Sequence, residues 1–595
     1  MFLLFFLIFL IYFIFQSQYI FGGDSAEFVT TALTYSIPHP PGYPLYTLLE
    51  IIFIKIFFFL PPIKAINLIS ISSHLITLYF TYKILKELRL KKLFIVLGLF
   101  FYSFILTIWI YNIIPEVYAL NNALISALIF FGLKFHQTRK IFYRQLFFII
   151  FGLGLSHHHS IVIFLIPFLI LDKKFFSIDI LFSLIFIPFY LYPLIASYFN
   201  PPLDWENSKS ITGLIRLITR YSYGTFSAYF GSIPNLINQL TILLSSLILV
   251  IGEFKPLGIF LIFLGTLFLI KKNRFFFNYL YITFFFYLIF LFLTNFNLSY
   301  SFSLATFERY LIGFYLILII FFSFGIEKLY QLIYQLKEKL INFKTSQLII
   351  PSYYLMLFLF VIISFFNNFK IIYALKNANH FEKFAQVILK IPKKNSVLLL
   401  KSDLTYFPIT YFYYYLKFRT DIKLIFPPML SRQYYREKVK KQFPGLKLNN
   451  NYSPLDFIEN NKNQIIYTEI PYDNNFVPVG ILWLYQTKKI PENQIISVNF
   501  DFWLKDKNLP IMNEQLKKIM FFQSLSEFYQ ERLINFIIYL IKIKNYQILN
   551  EFLSQFIKIY NHKDYQYFIN LTKKYFEEEK ICRKLSSINQ KIFCL

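Results

Sequence analysis

The sequence predicts a polytopic α-helical membrane protein with a water-soluble α/β plus helical domain towards its C-terminal end. Three observations predict this. The 595 residues are 57% hydrophobic and only 15% charged. Several apolar runs approach the roughly 20 residues that a helix needs to cross a bilayer. Beyond about residue 370, charges, Asn and Pro become frequent and no spanning run remains. The first two observations exclude a soluble enzyme. The abundance of Phe (79) and Tyr (46), with Lys commoner than Arg, follows AT-rich codons, so aromatic stripes carry no functional weight.

Charge sets the expected topology. A net charge of +27 suggests nucleic acid at first sight. Much of the Lys and Arg instead lies in short loops between apolar runs, where positive charge marks the cytoplasmic side. No nucleic-acid partner is expected. The first segment, roughly 2–20, lacks a basic leader and a small-residue cleavage site, and reads as a retained helix. The stretch 46–60 is short and broken by Glu50, Lys55 and Pro61-Pro62, and reads as interfacial or re-entrant. Spans are expected near 65–82, 93–110, 118–133, 145–156, 160–171 and 176–199. The basic loops 83–92 and 134–144 then lie inside, with the N-terminus. The loop after residue 20, the turn at 114–118, the histidines at 157–159 and the loop at 200–235 lie outside. In the second half 236–252 reads as interfacial, because Glu253, Lys255 and Pro256 follow it. Further spans fall near 257–270, 277–295, 308–326 and 348–366. The total is about eleven, with the C-terminus outside. Three regions are expected: 1–370 membrane domain, 371–512 α/β domain, and 513–595 helical region. In the second, 396–400, 421–426 and 463–470 read as strands. The two late cysteines, Cys582 and Cys594, give no metal framework and no redox clue.

The outer loops collect the reactive residues. Asp24 and Glu27 stand three apart in GGDSAEF, so a helix starting there puts both carboxylates on one face. The same spacing is a capping box. A carboxylate desolvated at the membrane boundary has raised proton affinity, which suits a general base. Glu116, after Pro115, either favours a helix N-terminus or adds a polar wall. In PHPPGYP (38–44) four prolines and Gly42 form an elbow that fixes Asp24 and His39 relative to the membrane surface. His157, His158 and His159 are adjacent, so they point in different directions and suit hydrogen bonds to phosphate or sugar better than one metal ion. Arg309, in FERY, offers a forked guanidinium to phosphate, or pairs with Glu308 at the interface. Arg216 and Arg220 read more as surface, and His74 and His136 as ordinary. No phosphate-cradling Gly-rich loop, Ser/His/Asp signature or metal-ligand Cys/His spacing is present.

An outward-facing site has no ATP and no soluble sugar nucleotide. It needs an activated donor carried in the membrane, and a lipid-linked phosphosugar fits. The residues GGDSAEFVTTALTYSIPHPPGYPLY (22–46), PEVYALN (115–121), GLGLSHHHSIVIFLIP (152–167), PPLDW (201–205) and YGTF (223–226) occur in that order. Together they resemble the GT-C family of protein O-mannosyltransferase-like membrane proteins, whose vertebrate relatives act on plexin-type receptors. The similarity covers about residues 1–370. It implies a GT-C fold, a polyprenyl- or dolichyl-phosphate sugar donor, and inverting transfer without metal or cofactor. It implies the base role for Asp24, with Glu27 beside it. Ala26 stands where the family carries Gly.

The expected protein is therefore a hexosyltransferase of a bacterial plasma membrane. It moves mannose or another hexose from a polyprenyl phosphate to a hydroxyl on a protein or glycan. Asp24 and Glu27 are the expected catalytic pair. His39, Glu116, His157, His158, His159 and Arg309 are the expected substrate contacts. Three rivals compete: a transporter or flippase of lipid-linked glycans, a glycosyltransferase acting on lipid or polysaccharide, and a scaffold for envelope proteins. The mid-span positions are almost wholly apolar, which counts against transport.

Overall fold

The computed structural model describes residues 1–225, 227, 235–339, 347–448, 453–510, 512–560, 565–578, 582–586, 589 and 594. The chain divides into two units. The first comprises Met1–Phe21 and Ser25–Ala378, the second Gly22–Asp24 and Asn379–Leu595.

Among the described residues the regular elements of the first unit are all helices. Among the described residues seven helices are long and apolar enough to cross a membrane, and four more apolar helices have 10–17 residues. These are the helices of an integral membrane protein. In chain order it opens with α1 (Phe2–Phe15), α2 (Ser25–Thr34), α3 (Pro44–Ile56), α4 (Pro62–Glu87), α5 (Lys92–Ser103), α6 (Leu106–Tyr111), α7 (Val117–Thr138), α8 (Ile141–Leu155) and α9 (Ile161–Leu171). Later helices span Leu236–Lys272, Arg274–Leu293, Ile312–Lys339 and Ile349–Lys376. These fall on or near the expected spans. The expected break after residue 252 is present: Lys255 (φ 58°, ψ 168°) is non-helical and Pro256 follows it, so two helical stretches meet at a kink within Leu236–Lys272. Glu253, just before the kink, turns inward. Its oxygens accept from the Leu106 and Thr107 amides at 3.0 and 2.9 Å and cap α6.

Packing distinguishes central from peripheral helices. The most apolar window of Ser301–Lys339 is 94% buried, against 17% for that of Ile349–Lys390, so the former is the hub. Its neighbour approaches closely. A Cβ on Gly325 would sit 1.8 Å from the Leu261 carbonyl, and one on Gly265 1.8 Å from that of Phe321. Small residues at such crossings let backbones touch where lipid supplies no hydrophobic drive. On the same 236–272 helix, Leu240, Leu244, Leu247 and Ile251 are exposed. That spacing is one helical face, and an apolar stripe of this kind suits acyl chains rather than water.

The second unit joins a sheet to helices. Strands β1 (Val397–Leu399), β2 (Lys423–Ile425), β3 (Ile466–Thr468), β4 (Phe476–Val479) and β5 (Leu482–Tyr485) lie in the order β2-β1-β3-β5-β4. β1 pairs in parallel with β2 and β3, and β5 antiparallel with β3 and β4. The three expected strands are present. The β4–β5 hairpin escaped sequence reading because Pro478 breaks its pattern. Pro is tolerated there because β4 is the edge strand. Helices Met520–Lys542, Tyr546–Ile559 and Gln566–Glu578 follow. Cys582 and Cys594 are disulfide-bonded.

Candidate active site

The elbow residues settle into a defined cluster. Gly42 (φ 84°) and Tyr43 (φ 38°) take left-handed backbone, and Pro44 opens α3. A left-handed tyrosine costs on the order of 1–3 kcal/mol and persists only where its surroundings hold it. The rings of Phe28 and His39 meet Tyr43 edge-on at 5.5 and 5.3 Å.

Glu27 lies in the first turn of α2 and is fully buried. It does not close a capping box. Its Oε1 accepts from the His39 amide at 3.1 Å and from Trp205 Nε1 at 2.6 Å, and its Oε2 meets His39 Nδ1 at 2.5 Å. An ionised carboxylate only accepts, so His39 Nδ1 carries the proton. His39 Nε2 stands 3.4 Å from the Tyr43 hydroxyl. Ala26 lies inside α2, where its methyl is compatible with helical φ. Asp24 immediately precedes α2 and groups with the second unit.

The three histidines separate. His157 is fully buried, and its Nε2 donates to the Val117 carbonyl at 2.8 Å, tying the turn between α8 and α9 to the start of α7. His158 Nδ1 meets Ser160 Oγ at 2.8 Å. His158 and His159 line a cavity of about 550 Å³. Burial depresses all three imidazoles, His157 and His159 to about 4, so at neutral pH they are uncharged hydrogen-bonding groups. An unfolded chain takes up these protons near pH 6.5. Stability is therefore complete above about 6.5 and declines as pH falls towards 4. The thermal midpoint of detergent-solubilised protein is expected to fall between pH 7.5 and 5.5, and less steeply in His157→Gln.

The cavity also takes Tyr43, Tyr310 and Arg220 into its wall. Apolar residues complete it, among them Ile163, Ile166, Phe286 and Ile289. Arg220, which its loop suggested was surface, is half-buried and joins the cavity wall. Its backbone is left-handed (φ 52°), its guanidinium lies 5.4 Å from the Tyr223 ring centroid, and its Nε is buried without a hydrogen-bond partner among the described residues. Its Nη1 makes one long contact, 3.5 Å, to the Thr225 carbonyl. Arg216 is exposed and lies over Tyr221. Phe226 of YGTF lies outside the described residues.

Arg309 and Glu116 are placed differently from the other candidates. Both are 1% exposed, and Arg309 Nη1 meets Glu116 Oε1 at 2.5 Å. Glu116 is also the N-cap of α7. Arg309 lies 5.8 Å from the Tyr118 ring centroid, and Tyr118 in turn meets the rings of Tyr310 and His158 at 5.8 and 5.4 Å. The ion pair thus sits behind the cavity wall. His74 meets Ser103 Oγ at 3.1 Å, and His136 meets Asp172 at 2.8 Å.

Sequence reading passed over Tyr43, Trp205 and Tyr310 and weighed Arg220 more as surface. All four sat inside quoted motifs or a noted loop, but nothing in the spacing brings Tyr43, Arg220 and Tyr310 to one cavity or Trp205 to Glu27. It also passed over Glu50 as a charge breaking α3. Glu50 is fully buried, one helical turn from Tyr46, whose hydroxyl faces it. Burial raises its carboxyl well above the ordinary range.

These features define a multi-span membrane protein whose internal cavity is apolar over most of its wall and cationic at Arg220. Residues 24–175 match the family model of the Protein O-mannosyl-transferase TMEM260 N-terminal domain, so the resemblance carried by the motifs is borne out. The Protein O-mannosyl-transferase tmem260 of Dictyostelium discoideum is 27% identical over 296 residues, 43% of this chain and 35% of that protein. The Protein O-mannosyl-transferase TMEM260 of Mus musculus is 28% identical over 244 residues, 38% of this chain and 34% of that protein. The matches thus span about a third of these relatives. A crystal structure of ArnT from Cupriavidus metallidurans bound to undecaprenyl phosphate aligns over 78% of this chain and 92% of that one, with 10% identity and a TM-score of 0.49.

Proposed function

We propose that the chain is a membrane glycosyltransferase of GT-C type. It moves a hexose, mannose first among candidates, from a polyprenyl-phosphate donor to a hydroxyl on protein at the extracytoplasmic face. The observation that carries this reading is the cavity, apolar on most sides with one half-buried guanidinium and two uncharged histidines. An isoprenoid phosphate has that amphiphilic character. The match to a protein O-mannosyl-transferase domain supports it. The basic loops support an outward site and a cytoplasmic N-terminus.

The isoprenoid tail packs against Ile163, Ile166 and Phe286. Arg220 holds the phosphate by its fork, and His158 and His159 donate to phosphate or sugar. Asp24, beside Ser25 at the start of α2, takes the acceptor proton as the hydroxyl attacks C1. Glu27 positions His39 rather than reacting. The Arg309–Glu116 pair supports the wall behind Tyr310. Substrate assembly and proton transfer need no resident metal or cofactor. The soluble unit serves acceptor binding.

Asp24→Asn keeps the size of the side chain and removes the base. Its expected result is a loss of at least 10²-fold in transfer rate, with unchanged thermal midpoint, read as label moved from polyprenyl-phosphate mannose to membrane protein. Turnover within threefold of wild type would remove Asp24 from the base role.

A further inference from the structure

We propose that Tyr43 hydrogen-bonds the leaving phosphate of the donor, with Glu27 and His39 acting through it as positioning residues; this rests on the lipid-phosphate sugar reading above. Tyr43 is 7% exposed, yet it belongs to the cavity wall that also holds Arg220, His158 and His159. Its left-handed backbone directs a bulky side chain where ordinary φ would not (φ 38°, ψ 50°). Behind it stands a chain of hydrogen bonds. Trp205 and the His39 amide occupy Glu27 Oε1, Glu27 Oε2 holds His39 Nδ1, and His39 Nε2 faces the Tyr43 oxygen. Among the described residues the hydrogen bonds that Glu27 accepts come from His39 and Trp205, and neither of these lines the cavity.

The chemistry asks for such a donor. When the acceptor oxygen attacks C1, the bond from C1 to the phosphate oxygen breaks and its electron pair stays on that oxygen. The leaving group gains one negative charge, and the acceptor proton goes to the base. A donor aimed where charge develops acts on the transition state more than on the ground state. The 3.4 Å separation between Tyr43 and His39 Nε2 is long for a hydroxyl bond. With Nδ1 donating to Glu27, Nε2 accepts from the phenol, and a phosphate oxygen in the cavity competes for that proton while the rings of Phe28 and His39 keep Tyr43 in place.

The test uses the full chain in detergent with polyprenyl-phosphate mannose as donor, reading release of polyprenyl phosphate and transfer to membrane protein. Tyr43→Phe is expected to lower kcat about 10²-fold or more, with donor KM within about threefold and an unchanged thermal midpoint. Glu27→Gln alone is expected to lower kcat, but to add less than about threefold in the Tyr43→Phe background, since it acts through the missing hydroxyl. If Glu27→Gln does not fold, His39→Gln takes its place with the same expectation. Turnover of Tyr43→Phe within threefold of wild type overturns the proposal, and so do losses that multiply. Wild-type protein that releases no polyprenyl phosphate overturns the enzymatic reading itself, an outcome distinct from an active wild type with an equally active Tyr43→Phe.

Discussion

Glu116→Ala is expected to destabilise the membrane unit by roughly 3–5 kcal/mol. Arg309 and Glu116 are each 1% exposed and meet at 2.5 Å. Removing the carboxylate takes a charge partner away from a buried guanidinium, whose lost hydration is then less well offset. The helix also suffers, because Glu116 is the N-cap of α7. The checkable outcome is a large drop in thermal midpoint and in monodisperse yield from detergent. The paired change Glu116→Gln with Arg309→Met removes both charges and is expected to cost much less than Glu116→Ala alone. If Arg309 instead held the donor phosphate, Arg309→Met would chiefly raise donor KM and leave the midpoint in place.

Arg220→Ala is the second large effect, and it falls on binding rather than folding. The guanidinium has no carboxylate ion pair among the described residues, and its Nε has no hydrogen-bond partner among them. Losing it removes no internal ion pair. Hydrogen bonds to a charged group contribute about 1.5–3 kcal/mol, so donor KM is expected to rise about 10- to 150-fold. Lys at this position keeps the charge and loses the fork, and is expected to fall between. Undecaprenyl phosphate titrated against the detergent-solubilised protein, read as a thermal shift, checks this without turnover. Equal shifts in wild type and Arg220→Ala would place the phosphate elsewhere.

The contrast between these two arginines shows what a sequence can and cannot carry. Arg309 reads as a phosphate ligand because it stands at the outer end of a late span and carries a forked guanidinium. Arg220 looked like surface because it lies in a long polar loop. Which arginine meets a buried carboxylate depends on a partner 193 residues away, and no local pattern encodes that. The spans were legible for a simple reason: length and apolarity alone decide whether a helix can cross a membrane. The break at Lys255 and Pro256 was legible from those residues, whereas the inward role of Glu253 was not, because α6 supplies the amides from which it accepts. The parallel strands β1, β2 and β3 were legible as short apolar runs, whereas the β4–β5 hairpin was hidden by Pro478.

The site was legible as a set of motifs and not as roles. Asp24, Glu27, His39 and the histidines were found because acids, imidazoles and prolines are unusual beside apolar spans. The division of labour among them needed geometry. Glu27 and Asp24 are equivalent on paper, yet the donors around Glu27 commit it to His39 and Trp205. The three histidines are equivalent on paper, yet His157 is committed to Val117 while His158 and His159 line the cavity. Tyr43 was read only as part of an elbow, because a left-handed tyrosine cannot be inferred from its neighbours' identities.

The most direct measurement is intact mass spectrometry of envelope proteins and glycolipids after deletion of the gene, with complementation by wild type or Asp24→Asn. The account predicts that deletion removes a hexose-sized mass from protein, and that wild type alone restores it. Protein masses that stay unchanged on deletion, or are fully restored by Asp24→Asn, would contradict it.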